Sequence, residues 1–224
     1  MKFITLLICL SLSIPCFAQT ELEIKYAKDA CDCMNNLKVN NNFTQENFAN
    51  CFETALQLNE DLVQEEILRI YGDTSYESGY QFGNELTRKI MIDMVAECTS
   101  YFHLMDSMRY EEYKNLDRDS LQAVYTEMIQ ADEDAINEKF LEKRALLAFH
   151  LKKYEHALVD ISSVLEINPD NGQSIFLKGW IYDINGEYDA AKRMYDQVAE
   201  VTMSKTFLIF SEVAKRKKKE SLKE

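Results

Sequence analysis

The feature that most constrains the fold of this chain is a sequence self-match at an offset of 34 residues in its C-terminal half. Between residues 138–171 and 172–205, small side chains recur at small positions and bulky side chains at bulky ones. The matched pairs are Leu141 and Ile175, Ala145 and Gly179, Tyr154 and Tyr188, Ala157 and Ala191, Ile161 and Tyr195, Val164 and Val198, and Ile167 and Val201. A fixed period of this length is typical of a repeated pair of helices. Such pairs stack into a curved solenoid, so the pattern predicts a helical repeat domain.

The composition favours helices along the whole chain. The 224 residues include only 2 prolines and 6 glycines, which leaves few helix breakers and few hairpin turns. We therefore predict an all-α fold. The formal net charge is −13, and the acidic excess lies between Gln19 and Asp134. Because an acidic surface repels phosphate groups, we expect this half to bind neither nucleic acid nor an anionic membrane surface.

The first 18 residues have the layout of an export signal. Basic Lys2 precedes an apolar run from Phe3 to Ile14, and the segment ends in Cys16-Phe17-Ala18. This pattern predicts cleavage after Ala18 and a secreted or periplasmic mature chain that begins at Gln19. The alternative is a membrane anchor, but the apolar run is about half the roughly 20 residues that a membrane-spanning helix needs. No later apolar stretch is long enough to cross a membrane.

Four cysteines follow the predicted cleavage site, at positions 31, 33, 51 and 98. An even number in an exported protein is typical of disulfides. On a helix, residues two apart point roughly 200° away from each other, which disfavours a bridge between Cys31 and Cys33. Cys33 and Cys51 each lie on an apolar helical stripe, so we favour the pairing of Cys33 with Cys51 and of Cys31 with Cys98. The swapped pairing stays open.

Metal binding and redox catalysis are weaker interpretations of these cysteines. A zinc site could include His103, but the cysteines lack the two-residue spacer that is usual in a ligand pair. Redox catalysis favours C-x-x-C, whereas Cys31-Asp32-Cys33 has a single intervening residue and no basic neighbour that would favour a thiolate. The sequence therefore predicts disulfides, with no metal and no cofactor.

Apolar periodicity predicts helices throughout the acidic half. The first extends from about Glu21 to Val39. We interpret the stretch from Gly72 to Asn84 as a loop, although its glycines one helical turn apart could instead let two helices pack closely. A long helix from Leu86 to Met105 should carry Cys98 into the core, and a further helix covers Ser120 to Ile136.

The order of the cysteines resembles that of a known group of domains. Ala30-Cys31-Asp32-Cys33 comes first, Cys51-Phe52 follows, and Glu97-Cys98 is last. This order resembles uncharacterised exported helical domains of Bacteroidetes-type bacteria. The resemblance covers roughly residues 22–106 and implies no activity.

The repeat half resembles tetratricopeptide repeats. In this family a small residue stands where the two helices of a unit cross. The corresponding residues are Ala145 and Ala157 in the first unit, and Gly179 and Ala191 in the second. Pro169 matches the turn that ends a repeat, where proline stops the second helix, whereas Met203 departs from the pattern at the same place in the second unit. The resemblance implies a short α-solenoid whose ends must be covered by flanking helices.

These observations predict a plan of domains along the chain. Residues 1–18 form the cleaved signal peptide, 19–116 an acidic helical domain with four cysteines, 117–137 a connecting or N-terminal capping helix, 138–205 two tetratricopeptide-like repeats, and 206–224 a capping helix with a basic tail. The basic run Lys215–Lys219 stands at the C-terminal end of this last helix, where cations are favourable. Its alternative role is a peripheral contact with the cell envelope or with an acidic partner.

By the same resemblance, the first helix of each repeat lines a concave face that binds a partner. The residues that we predict to bind there are Leu146, Phe149, Phe176, Trp180 and Asp183. Trp180 is the only tryptophan of the chain, and large aromatic residues are typical anchors of protein interfaces. We therefore expect a partly apolar peptide or helix as the partner. The alternative, in which the acidic half folds into this groove, stays open.

The leading hypothesis is an exported, non-catalytic adaptor for protein–protein interaction. The alternative is a thiol redox or sensor protein of the cell envelope, because Cys31 and Cys33 are so close. An envelope enzyme has less support. The only histidines are His103, His150 and His156, which lack metal-binding spacing, and the chain has no G-x-S-x-G motif, no H-E-x-x-H motif and no glycine-rich phosphate loop.

Overall fold

A computed structural model describes residues 19–39, 45–111, 116–132, 134 and 136–223. Within these ranges the protein is helical and contains no β-strand, as the composition predicts. The helices are α1 (Glu21–Val39), α2 (Gln45–Leu58), α3 (Glu60–Tyr71), α4 (Tyr76–Glu97), α5 (Thr99–Glu111), α6 (Arg118–Ile129), α7 (Glu138–His150), α8 (Tyr154–Ile167), α9 (Gly172–Ile184), α10 (Tyr188–Val201) and α11 (Leu208–Ser221). None of these helices is long and apolar enough to span a membrane. The predicted signal peptide lies outside the described residues.

The start of α1 follows from its first residues. The backbone amide of Glu23 donates to Thr20 Oγ1 at 3.2 Å, and the amide of Thr20 donates to Glu23 Oε2 at 3.0 Å. This reciprocal pair is a capping box, which satisfies amides that have no partner inside the helix. The helix bounds Glu21–Val39 agree with the sequence prediction.

Disulfides connect α1 to α2 and to the junction between α4 and α5. Cys31 is joined to Cys98, and Cys33 is joined to Cys51, with Cα–Cα distances of 5.7 and 5.5 Å. This is the pairing that the sequence favoured. Because Cys31 and Cys33 point away from each other on α1, each reaches a different neighbour.

The predicted loop from Gly72 to Asn84 is wrong beyond Ser75. Gly72 ends α3 with φ 78°, and Ser75 caps α4, since its Oγ accepts from the amide of Ser78 at 3.3 Å. Asp73 supports this cap by accepting from the Ser78 hydroxyl at 2.7 Å. The two glycines that suggested a loop therefore lie inside α4.

The predicted helix from Leu86 to Met105 is interrupted once. Cys98 has an extended backbone, with φ −97° and ψ 107°, and separates α4 from α5. It is buried in the core, as predicted. The chain thus changes direction at the residue that is tied to α1, and this change of direction sets the course of α5. Helix α6 is also shorter than predicted and ends at Ile129.

The repeat half consists of the helix pairs α7–α8 and α9–α10, whose local details also recur at the period of 34. Asn137 Oδ1 caps α7 at 3.1 Å from the amide of Phe140, and Asn171 Oδ1 caps α9 at 2.9 Å from the amide of Ser174. Where α9 crosses α10, a methyl group added to Gly179 would lie 2.9 Å from Met194 Cβ. The crossing therefore requires a small residue, as the resemblance implied.

The two halves of the chain share α11. Its Ile209 and Val213 belong to the core formed by α1, α2, α4 and α5, whereas its Ala214 packs with Ala191 and Tyr195 of α10. Arg216 donates to the carbonyl of Val95 on α4 at 2.9 Å. One helix thus covers the end of the second repeat and closes the acidic half. The division of the chain into domains stays a prediction.

Candidate partner-binding site

The five predicted binding residues lie on α7 and α9, and the three aromatic ones, Phe149, Phe176 and Trp180, form a continuous cluster of rings. The ring centroids of Phe149 and Trp180 are 4.7 Å apart, and those of Phe176 and Trp180 are 6.0 Å apart. Trp180 is 3% exposed and Asp183 is 2% exposed. Leu146 and Phe176 are half-buried. The side chains at the centre of the predicted groove are therefore packed inside the protein.

Side chains of α5, in the acidic half, reach α9 and contact these residues. Arg109 Nη2 donates to Asp183 Oδ2 at 2.6 Å, and Arg109 Nη1 donates to the Tyr195 hydroxyl at 2.5 Å. Lys217 Nζ of α11 lies 3.1 Å from the other oxygen, Asp183 Oδ1. This arrangement corresponds to the alternative that the sequence left open, in which the acidic half folds against the groove. Asp183, one of the predicted binding residues, forms ion pairs within the chain.

Aromatic rings surround the guanidinium of Arg109. Its Cζ lies 5.0 Å from the ring centroid of Phe210, 5.4 Å from that of Trp180, 5.7 Å from that of Tyr195 and 5.9 Å from that of Tyr110. A cation over such rings is attracted by their quadrupoles. Burial alone would lower the pKa of Arg109, but the electrostatic influence of Tyr195 and Asp183 raises it above its ordinary value. Burial raises the pKa of the Tyr195 hydroxyl, which stays neutral and accepts from Arg109.

The same ion pairs hold Lys217 in its charged form. Burial would lower its pKa, yet the charge of Asp183 and the hydrogen bond and charge of Asp106 raise it. The Nζ atom lies 2.6 Å from Asp106 Oδ1. Lys218 pairs with Asp189 at 2.6 Å. These residues of the basic tail therefore bind carboxylates of the protein itself.

An open cleft of about 390 Å³ remains at one end of the groove, where α5 and α6 meet the first repeat. We call it the aromatic cleft. Its lining consists of Tyr110, Leu116, Arg118, Leu121, Phe149, His150, Lys152, Tyr154, Trp180 and Ile184. The Tyr110 and Trp180 rings meet edge to face at 5.5 Å. Of the predicted binding residues, Phe149 and Trp180 contribute to this surface.

The charged residues of the aromatic cleft are basic. Arg118 and Lys152 are exposed at its rim, and none of the described residues that line it is acidic. Burial raises the pKa of Tyr154, and the charge of Arg118 opposes this shift. The described lining of the cleft is therefore cationic and aromatic, on a chain whose net charge is −13.

A comparison with protein families now identifies the second helix pair. Residues 172–202 match the family model for the tetratricopeptide repeat. The matched tetratricopeptide repeat comprises α9 and α10, which carry Trp180, Asp183 and Tyr195. The first helix pair has the same period and the same caps. No curated protein and no solved structure shows significant similarity to the chain, so the resemblance of the acidic half to exported Bacteroidetes-type domains stays an expectation.

The sequence did not identify Arg109 or Lys152 as site residues. Arg109 lies 74 positions before Asp183, and no local pattern connects such distant residues. Lys152 could have been found by aligning the tetratricopeptide repeat with the first unit, because the residue 34 positions later is Gly186. Both residues have positive φ, 60° for Lys152 and 78° for Gly186.

The histidines do not form a metal site in the part of the chain that the structure describes, where no suitable group of His, Cys, Asp and Glu side chains occurs. His156 Nδ1 is 2.8 Å from the Tyr125 hydroxyl, in the contact between α6 and α8. His103 is exposed on α5, and His150 lines the aromatic cleft.

Proposed function

We propose that this protein is an exported, non-catalytic adaptor that binds a segment of a partner protein in the aromatic cleft. The match to a tetratricopeptide repeat supports a protein partner in general. The observation that carries the proposal is the open cleft of about 390 Å³ beside Phe149 and Trp180. Its volume is in the range of sites that bind small ligands or a few side chains.

The bound segment is short, because Arg109 of α5 and Lys217 of α11 already contact α9 beside the cleft. Arg109 fills the space between Trp180 and Tyr195 and is ion-paired with Asp183. A partner that displaced it would remove one of the two cations that pair with the buried Asp183 carboxylate, which is costly. The partner therefore enters at the end of the groove, and the acidic domain supplies part of the binding surface through Tyr110.

The test is crosslinking and capture from the native cell envelope with surface variants of the full mature chain. The cleft variant is Tyr110→Ala/Leu116→Ala, since these residues are 39% and 38% exposed. The matched control is Tyr80→Ala/Leu68→Ala, which removes the same two residue types from exposed positions on α4 and α3. We expect a specific partner to be lost with the cleft variant and retained with the control.

Alanine at Trp180 or Phe176 would be a poorer probe, because both rings pack against α5, α10 or α11. A loss of binding there would be confounded by a loss of stability. If the cleft variant and the control capture the same partner equally well, the binding surface lies elsewhere on the protein and the proposal fails.

Export is a proposal that rests on the layout of residues 1–18. N-terminal sequencing of the protein isolated from its native cells should give a chain that begins at Gln19. A chain that begins at Met1 and fractionates with the cytoplasm would contradict export.

A thiol redox or sensor function is the second candidate, favoured by a cleft of about 250 Å³ beside the Cys31–Cys98 disulfide. Cys31 is half-buried, whereas Cys98 is buried. Lys28, Asp32 and Glu97 also line this cleft, and the net negative charge of these three side chains disfavours a thiolate. Mild reduction followed by alkylation and intact-mass measurement would distinguish the two candidates. In a redox protein, mild reduction should release two cysteine thiols readily, and both should be alkylated.

A peripheral envelope contact through the basic tail has less support. Lys217, Lys218 and Arg216 bind groups of the protein itself, so a membrane surface would compete with existing ion pairs.

A further inference from the structure

We propose that the segment bound in the aromatic cleft is acidic, with a bulky apolar side chain among the rings and a neighbouring Asp or Glu held by Lys152 and Arg118. This inference rests on the proposed adaptor function and specifies the chemistry of its partner. It starts from the conformation of a single residue at the rim of the cleft.

Lys152 occupies a backbone position that favours glycine. It lies in the turn between α7 and α8 with φ 60°, and its counterpart in the second repeat is Gly186 with φ 78°. A side chain in this left-handed region is strained, and glycine is not. The Lys152 side chain is exposed and forms no hydrogen bond or ion pair with a described residue. The lysine thus brings strain to the fold, and no hydrogen bond or ion pair of its side chain with a described residue offsets this strain.

Lys152 lies at the border of two open surfaces. It lines the aromatic cleft together with Arg118, and it also lines a second open surface of about 430 Å³ on the other side of the turn. Lys153, the next residue, lies with Nζ 4.9 Å from the ring centroid of Tyr125. The described lining of the aromatic cleft therefore carries two cations, Lys152 and Arg118. Lys153 and Glu155 line the second surface, and the exposed Asp117 and Asp119 flank Arg118 in sequence without lining the cleft.

Charge complementarity selects the occupant of the cleft. Aromatic walls favour a bulky apolar side chain, and a cationic rim favours carboxylates beside it. Nucleic acids share the negative charge, but a polymer with one charge per phosphate would also be repelled by the acidic half. A short acidic segment of a protein satisfies both features.

The probe is a random octapeptide library displayed on phage, selected on the full mature protein. We expect the selected peptides to combine Asp or Glu with Phe, Leu, Ile or Trp. A fluorescein-labelled selected peptide should then bind Lys152→Gly and Arg118→Ala about tenfold more weakly than the wild type, in line with hydrogen bonds to charged groups. The control Lys139→Ala makes the same charge change at an exposed position outside the cleft lining and should bind like the wild type.

Lys152→Gly has a second readout that a merely structural role would not give. Because glycine relieves the strain, its melting temperature should rise while its affinity falls. Selected peptides without acidic residues, or unchanged affinity in Lys152→Gly, would overturn this inference. In either case, if the selected peptides bind more weakly to Tyr110→Ala/Leu116→Ala than to the wild type, the adaptor function stands. If no cleft substitution changes the affinity of the selected peptides, both this inference and the proposed adaptor function are contradicted.

Discussion

At the scale of single residues, Arg109 determines how much of the concave face is accessible. Its side chain is 3% exposed and contacts Asp183, Asp106 and Tyr195. Buried ion pairs contribute less to stability than their distances suggest, because both charges lose their hydration. Removing one member is nevertheless costly, since the other stays buried with fewer partners.

We therefore expect Arg109→Met to lower the free energy of unfolding by about 3 kcal/mol. Lys217 still pairs with Asp183 in this variant, so the protein should fold. Urea denaturation measures the change, with Arg118→Met as the control because Arg118 is exposed. Equal losses in the two variants would contradict the role of the buried pair.

At the scale of helices, Gly179 lies in a close contact between α9 and α10, whereas Gly83 of α4 faces open space. An added methyl group at Gly179 would lie 2.9 Å from Met194 Cβ and 3.0 Å from Tyr195 Cε1, whereas nothing lies within 4 Å of one added at Gly83. Both glycines are inside helices, where alanine is intrinsically more favourable.

The same substitution should consequently have opposite effects at these two positions. We expect Gly179→Ala to destabilise the protein by about 2 kcal/mol through overpacking, and Gly83→Ala to stabilise it by up to about 1 kcal/mol through helix propensity. Chemical denaturation of the two variants decides the signs. If Gly179→Ala stabilised the protein, α9 and α10 would be able to move apart at their crossing without a loss of stability.

A carboxylate connects the start of α7 to the turn before α9. Glu138 Oε1 accepts from Asn168 Nδ2 at 2.9 Å and from Asn171 Nδ2 at 3.1 Å. These hydrogen bonds, that of Asn168 first, lower the pKa of Glu138 below its ordinary value. A lowered pKa means that the contribution to stability is present above the unfolded pKa and is lost as the pH falls through the folded pKa.

Acidification should therefore affect the wild type more than Glu138→Gln. We expect the melting temperature of the wild type to fall more steeply between about pH 5 and about pH 3. Glu155→Gln, an exposed carboxylate of the same repeat, serves as the control and should keep the wild-type slope. Parallel curves for the wild type and Glu138→Gln would show that this link carries no pH dependence.

At the scale of the whole molecule, crosslinks and one shared helix hold the acidic half together. The disulfides span 67 and 18 residues, and α11 contributes Ile209 and Val213 to the same core. A crosslink that closes a longer loop removes more conformations from the unfolded chain.

Loss of the Cys31–Cys98 disulfide, which closes the longer loop, should thus lower the free energy of unfolding more than loss of the Cys33–Cys51 disulfide. We predict that Cys31→Ser/Cys98→Ser lowers the free energy of unfolding by about 4 kcal/mol, and Cys33→Ser/Cys51→Ser by about 3 kcal/mol. Denaturant titration of both double variants under non-reducing conditions compares them directly. The reverse order would show that native packing, and not loop closure, determines the contribution of each disulfide.

Local signals predicted much of this architecture. The period of 34 predicted the helix pairs, apolar periodicity predicted the bounds of α1, and the helical stripes that carry Cys33 and Cys51 favoured the observed disulfide pairing. The predicted loop after Gly72 failed because the glycines were given more weight than the cap at Ser75. The contact of Arg109 with Asp183 joins residues 74 positions apart, and only the tertiary structure brings them together.

The shared helix also determines when the acidic half can complete its fold. Ile209 and Val213 are synthesised about 100 residues after α5, and translation at roughly 5–20 residues per second makes this interval on the order of ten seconds. During that interval the core around Tyr26 and Ile90 lacks the side chains that close it. The acidic half therefore completes its fold last although it is synthesised first, because its core waits for α11.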